Sequence, residues 1–124
     1  MSFSLFGLSA QSKQAFKSIS VDEFEKAISD TSYVVLDVRM PVEYAEGHIP
    51  GTDYNIDVLE DNFEAEALKL LSKDRPVALY CRSGNRSKKA ASILSENGYV
   101  VLELAKGYLG WFDAGKPVET GVRK

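Results

Sequence analysis

Cysteine is almost missing from this sequence: Cys81 stands alone among 124 residues, alongside one histidine and one tryptophan. A single cysteine excludes any intramolecular disulfide, so the fold has to rest on its packed core, which suits a reducing compartment. Long apolar runs are also missing, and none approaches the roughly 18 residues a membrane span needs. A basic surplus is missing too, since 15 Lys and Arg face 18 Asp and Glu for a net charge of -3. Nucleic acids and anionic membranes favour chains rich in Lys and Arg, so neither is expected as a partner. The stretch Met1 to Ala10 is mildly apolar, but no basic residue precedes its apolar patch, and Gly7 and serines interrupt it. It reads poorly as a secretory signal, which leaves the cytoplasm as the expected setting.

What is present matches one globular domain. Hydrophobic residues make up 44% and charged residues 27%, close to the averages for folded proteins, and the length suits a single core. Three short apolar runs rich in β-branched residues stand out: Val34 to Val38, Val77 to Tyr80 and Val100 to Leu104. Continuous rather than alternating hydrophobicity predicts strands covered on both faces. Helical patterns separate them. Ser20-Val21-Asp22-Glu23 has the spacing of a capping box and opens a helix with Phe24, Ala27 and Ile28 on one face. Phe63, Ala67, Leu70 and Leu71 keep helical spacing from about Glu60 to Ser72, and Ala90, Ala91, Ile93 and Leu94 from about Ser87 to Asn97, with Gly98 placed to end that helix. Strands alternating with helices predict an α/β fold with a mostly parallel sheet between helical layers and right-handed crossovers. Residues 1–17 show no clear pattern and form either a frayed arm or a short amphipathic helix against the body or a partner; residues 18–124 form the domain.

The chemistry concentrates where the second apolar run ends. In parallel sheets ligands bind beyond the carboxyl ends of strands, where loops lead into helix N-termini. Cys81 lies there, followed by Arg82, Ser83, Gly84, Asn85 and Arg86, before a helix expected from Ser87. Such a loop can curl around the sulfur with its N–H groups inward, Gly84 supplying a positive φ. Amides gathered at a helix N-terminus favour an anion, and a cysteine there favours thiolate over thiol. A lone cysteine after an apolar strand is more often a core residue. Here Arg82, Arg86, Lys88 and Lys89 flank it with no acid among them in an acidic chain. Lys88 and Lys89 fit a solvated helix face, whereas Arg82 and Arg86 belong beside the anion.

The segment Cys81-Arg82-Ser83-Gly84-Asn85-Arg86-Ser87 resembles the active-site loop of single-domain rhodaneses. Leu36-Asp37-Val38-Arg39, followed by Glu43-Tyr44 and Gly47-His48-Ile49-Pro50-Gly51, is similar to that family's first signature, and Lys106-Gly107-Tyr108 with Trp111 to its last. The resemblance spans about residues 18–115. It implies a three-layer α/β/α fold with a five-stranded sheet and a rhodanese-like domain over residues 18–124. It also implies a sulfurtransferase in which Cys81 takes sulfane sulfur from a donor such as thiosulfate or a persulfide and passes it to a thiol or cyanide. In that scheme the loop from Arg82 to Ser87 holds the donor and the persulfide, Arg82 and Arg86 orient an anionic donor, and neither metal nor organic cofactor is needed. Asp37 and Arg39 would support the loop or form a structural ion-pair network with Glu43. His48, the one histidine, would serve the turn at Ile49-Pro50-Gly51 rather than act as a general base for Cys81, and Trp111, Phe112 and Tyr108 would pack the last helix rather than form a binding platform. Two positions depart from the family pattern: Thr52 where alanine is usual, and Lys106 where a first glycine is common. A sulfur relay or persulfide sensor acting on a protein partner is the alternative. Phosphatase or arsenate reductase chemistry is a more distant one, because four residues separate Cys81 from Arg86, one fewer than in the loop of tyrosine phosphatases.

Overall fold

The structure is a computed structural model describing residues 16–122. Its sheet has five strands, all parallel, in the order β1-β5-β4-β2-β3. Strand β1 is Lys17–Ile19, β2 Val34–Asp37, β3 Tyr54–Asn55, β4 Val77–Tyr80 and β5 Val101–Leu104. The central strands β2 and β4 are buried along their whole length, as their unbroken apolar runs require. Alternation then divides their side chains between two cores. Val34, Leu36, Val77 and Leu79 face one layer with Val101, while Val35, Ala78 and Tyr80 face the other with Leu104.

Helices α3 (Phe63–Leu70) and α4 (Asn85–Glu96) cover the first face, contributing Phe63, Ala67, Ala90, Ala91 and Leu94. Helices α1 (Val21–Ile28) and α5 (Gly107–Asp113) cover the second through Phe24 and Trp111. α1 starts where the capping box predicted: the Glu23 amide donates to Ser20 Oγ at 3.1 Å, and the Ser20 amide donates to Glu23 Oε1 at 3.0 Å. Phe24 is fully buried, edge-on to Tyr80 and Trp111. Its truncation to alanine should cost roughly 3–5 kcal/mol, as for other buried aromatic residues.

Several sequence expectations shift. Phe16 is buried and Lys17 pairs with Leu102 in β1, so these two residues belong to the body; residues 1–15 of the expected arm lie outside the described residues. Helix α3 ends at Leu70, whose side chain is exposed rather than part of the apolar face. The helix after Cys81 begins at Asn85, two positions before the expected Ser87. Helix α2 (Pro41–Glu46) and the two-residue β3 escape the apolar pattern because they are short. Among the described residues no helix is long and apolar enough to cross a membrane.

Candidate active site

Cys81 continues the alternation of β4, so its side chain joins Val77 and Leu79 on the face covered by α4. The chain then turns at once into α4, with Gly84 as N-cap at φ 105°. Glycine is required there twice over: the conformation is left-handed, and a Cβ would run into the carbonyl of Ala105. This turn brings the Gly84 amide to 3.1 Å from Cys81 Sγ and places Ser87 Oγ 3.4 Å from it. The amides of Asn85, Arg86 and Ser87 form the first turn of α4, have no partner within the helix, and get no side-chain cap from a glycine. Sulfur therefore sits at the positive end of a twelve-residue helix, where negative charge is stabilised.

The expected ring of inward amides is narrower than the sequence suggested. Among the described residues, the hydrogen bonds of the sulfur are those to Gly84 and Ser87. Cys81 is only 1% exposed. Asn85 to Ser87 lie in the first turn of α4, and among the described residues the Gly84 amide is the one that bonds the sulfur. Ser83 and Asn85 have exposed side chains.

The two loop arginines part company. Arg86 forms a two-pronged ion pair with Glu43 of α2, at 2.8 and 2.9 Å. The Arg86 hydrogen bonds hold the Glu43 carboxyl down at about 2, and Glu43 in turn raises the Arg86 pKa. Arg82 is exposed and lines a cleft of about 160 Å³ with Arg39, Glu43, Glu46, Gly47, Tyr108 and Leu109. Among the described residues, Arg82 is thus the loop arginine without a carboxylate partner at the cleft. Lys88 is half-exposed, yet its Nζ reaches the Gly84 carbonyl at 3.0 Å and Glu103 at 3.4 Å. The solvated-face reading therefore suits Lys89 alone.

Asp37 and Arg39 form a buried pair at the end of β2, with Arg39 Nη2 2.7 Å from Asp37 Oδ2. The guanidinium also donates to the Gly47 carbonyl at 2.7 Å and lies over the rings of Tyr108 and Tyr80. The structural ion pair forms between Asp37 and Arg39, while Glu43 feels the Arg39 charge but makes its direct hydrogen bonds to Arg86. Through the Gly47 carbonyl and the Tyr108 ring, Arg39 ties the C-terminal end of α2 to the Tyr108 wall of the cleft. His48 lies in the turn, its ring stacked on Tyr44 and its Nδ1 3.0 Å from the Tyr44 carbonyl. Thr52 donates to the Ile49 carbonyl at 2.6 Å and contacts Tyr80 Oη at 2.9 Å, an anchor alanine would lack. Trp111 packs α5 as expected, whereas Phe112 is 56% exposed. Lys106 is exposed and lines a different depression from the cleft beside Arg82.

One residue went unnoticed in the sequence. Glu103 of β5 is fully buried on the α4 face beside Val101, and its carboxylate accepts from Ser87 Oγ and from Ser18 Oγ, both at 2.5 Å. The available signal was its position as the one charge inside an apolar strand.

A buried thiol at the switch from a parallel strand to a helix N-terminus, closed in by Gly84 and backed by α5, defines a cysteine-loop α/β domain. The family model of the rhodanese-like domain matches residues 20–114, and the chain belongs to that family. It is 36% identical over 104 residues to a sulfurtransferase of Allochromatium vinosum, covering 81% of this chain and 92% of that protein. It is 32% identical over 100 residues to the thiosulfate sulfurtransferase GlpE of Pseudoalteromonas translucida, covering 78% and 90%. The crystal structure of a rhodanese-related protein from Thermoplasma volcanium superposes with a TM-score of 0.73 at 34% identity, covering 84% of this chain and 98% of that one.

Proposed function

We propose that this protein is a sulfurtransferase whose Cys81 carries sulfur as a persulfide. The observation that carries the reading is the position of Cys81 Sγ, bonded by the Gly84 amide at 3.1 Å at the N-terminus of α4. That environment stabilises a sulfur anion before and after loading. In the first step the Cys81 thiolate attacks the sulfane sulfur of a donor such as thiosulfate; a new S–S bond forms, the donor's S–S bond breaks, and sulfite leaves with the electron pair. In the second, a thiol or cyanide attacks the outer sulfur and the Cys81 thiolate departs. Arg82, exposed at the cleft, orients the anionic donor, and the Glu43–Arg86 pair holds the first turn of α4 against α2. The names of the relatives support the same reading.

Steady-state kinetics with thiosulfate and cyanide, followed as thiocyanate, test it. Parallel double-reciprocal lines, and loss of turnover in Cys81→Ser, are expected. Turnover that survives Cys81→Ser would remove Cys81 from the chemistry.

A further inference from the structure

Cys81 is only 1% exposed, so an internal route for its proton competes with bulk water. Hydrogen bonds provide one. Cys81 Sγ donates to Ser87 Oγ at 3.4 Å, and Ser87 Oγ donates to Glu103 Oε2 at 2.5 Å. A serine hydroxyl has one proton to give; with that proton committed to Glu103, its lone pairs face the thiol. The chain thus has a single direction, from sulfur to carboxylate. Its far end is also connected, since Ser18 of β1, an exposed residue paired in register with Glu103, donates to Oε1 at 2.5 Å.

The fold builds this line deliberately from three elements. Cys81 follows β4, Ser87 lies in the first turn of α4, and Glu103 is on β5, whose register sets it against Leu79. A fully buried carboxylate on an otherwise apolar strand face is expensive unless it is bonded. Both oxygens of Glu103 are bonded, and Lys88 Nζ stands 3.4 Å away to balance the charge. Of the other charged groups at the loop, Arg86 and Glu43 are committed to each other, and Arg82 and Lys89 are exposed.

We infer that Ser87 and Glu103 form a proton relay that ionises Cys81, with Ser87 the catalytic contact and Glu103 the positioning residue that acts through it. As the Sγ–H bond breaks, Ser87 Oγ takes that proton and passes its own to Glu103 Oε2. The products are a thiolate and a carboxylic acid, with no net change in protons. Ser87 then donates back to the thiolate, adding a second donor to the Gly84 amide. When an acceptor thiol later displaces Cys81 from the persulfide, the same line can return the proton to the released sulfur. This inference rests on the proposed sulfur chemistry for its purpose, but the ionisation of Cys81 can be measured without it.

The test is the rate of Cys81 alkylation by iodoacetamide across pH, in wild type, Glu103→Gln, Ser87→Ala and Ser87→Thr. General bases contribute about 100-fold or more, so at neutral pH Glu103→Gln and Ser87→Ala should each react at least about tenfold slower. The deficit should shrink at alkaline pH, where hydroxide takes the proton, and Ser87→Thr should restore most of the rate. If Glu103 merely set a negative charge behind the sulfur, its removal would favour the thiolate and Glu103→Gln would react faster. Equal or faster alkylation in Glu103→Gln or in Ser87→Ala overturns the relay. Should Glu103→Gln fail to fold, Ser87→Ala with its threonine rescue decides the matter. Sulfur loading assayed in parallel separates the two ideas: normal alkylation differences without loading in wild type would sink the sulfurtransferase reading and leave the relay standing.

Discussion

Replacing Gly107 by alanine puts a methyl group where the backbone of the cysteine loop already stands. Gly107 has φ 64°, and a Cβ there would lie 2.6 Å from the Arg82 carbonyl carbon and 2.7 Å from the Ser83 nitrogen, with the Arg82 oxygen also in its path. The neighbouring amides dock α5 on the same loop, Tyr108 donating to the Cys81 carbonyl at 2.8 Å and Leu109 to that of Arg82 at 3.0 Å. Left-handed geometry costs a non-glycine residue about 1–2 kcal/mol, and forcing an extra carbon into packed backbone about 1–3 kcal/mol more. The sum, about 2–5 kcal/mol, is a large share of the ~5–15 kcal/mol that holds a typical domain together. Gly115→Ala supplies the control, since Gly115 also has positive φ, at 77°, with nothing within 4 Å of its Cβ position. It should lose about 1–2 kcal/mol by strain alone. Denaturant unfolding of both variants, with sulfur loading of Cys81 from thiosulfate measured in parallel, reads the difference. Gly107→Ala should be the less stable by about 1–3 kcal/mol and load sulfur poorly because the Arg82–Ser83 peptide has moved, while Gly115→Ala loads normally. Equal stability losses together with normal loading in Gly107→Ala would refute the claim that α5 braces the loop.

Asp37→Ala leaves the buried Arg39 guanidinium without its carboxylate partner, so it should cost about 3–5 kcal/mol in thermal or denaturant unfolding, far more than substitution of an exposed residue. Glu43 has a depressed pKa, from 4.5 to about 2, so its pair with Arg86 stabilises the fold above about pH 4.5 and loses that contribution as pH falls through about 2. With the partial exposure of the pair discounted, Glu43→Gln should lower stability by about 1–2 kcal/mol at neutral pH, a gap that closes toward pH 2 in an unfolding series. Arg82→Ala should leave stability within about 0.5 kcal/mol while raising KM for an anionic donor several-fold, as read by thiocyanate formation over a thiosulfate titration.

The central strands were legible because β2, β4 and β5 are covered on both faces and so advertise themselves as unbroken apolar runs. The capping box at Ser20 and the glycine at position 98, which takes φ 93°, marked helix ends for local reasons that any fold would respect. β3 could not be read that way: its two residues, Tyr54 and Asn55, are only half-buried and take their strand geometry from pairing with Leu36 and Asp37. Helix α2 likewise depends on Pro41 at its start and on the Met40–Glu43 contact, too short a segment to show a period. Spacing alone puts both Leu70 and Leu71 on the apolar face, but α3 ends at Leu70, whose side chain is exposed, and the chain leaves in an extended conformation that keeps Leu71 buried.

At the site, the cysteine loop was visible because its residues are consecutive. Its partners were not, since they arrive from distant elements through the sheet order. Glu43 reaches Arg86 across 43 positions, and Glu103 reaches Ser87 only because β5 lies beside β4. Charge alone suggested that both loop arginines face an anion. Geometry commits Arg86 to Glu43 and leaves Arg82 exposed beside the cleft.

Intact-mass measurement after incubation with thiosulfate, followed by removal of excess donor, asks most directly whether Cys81 at the head of α4 carries sulfur. Wild type should gain the mass of one sulfur atom, lose it again on addition of cyanide, and show no gain as Cys81→Ser. An unchanged wild-type mass, or the same gain in Cys81→Ser, would contradict the account.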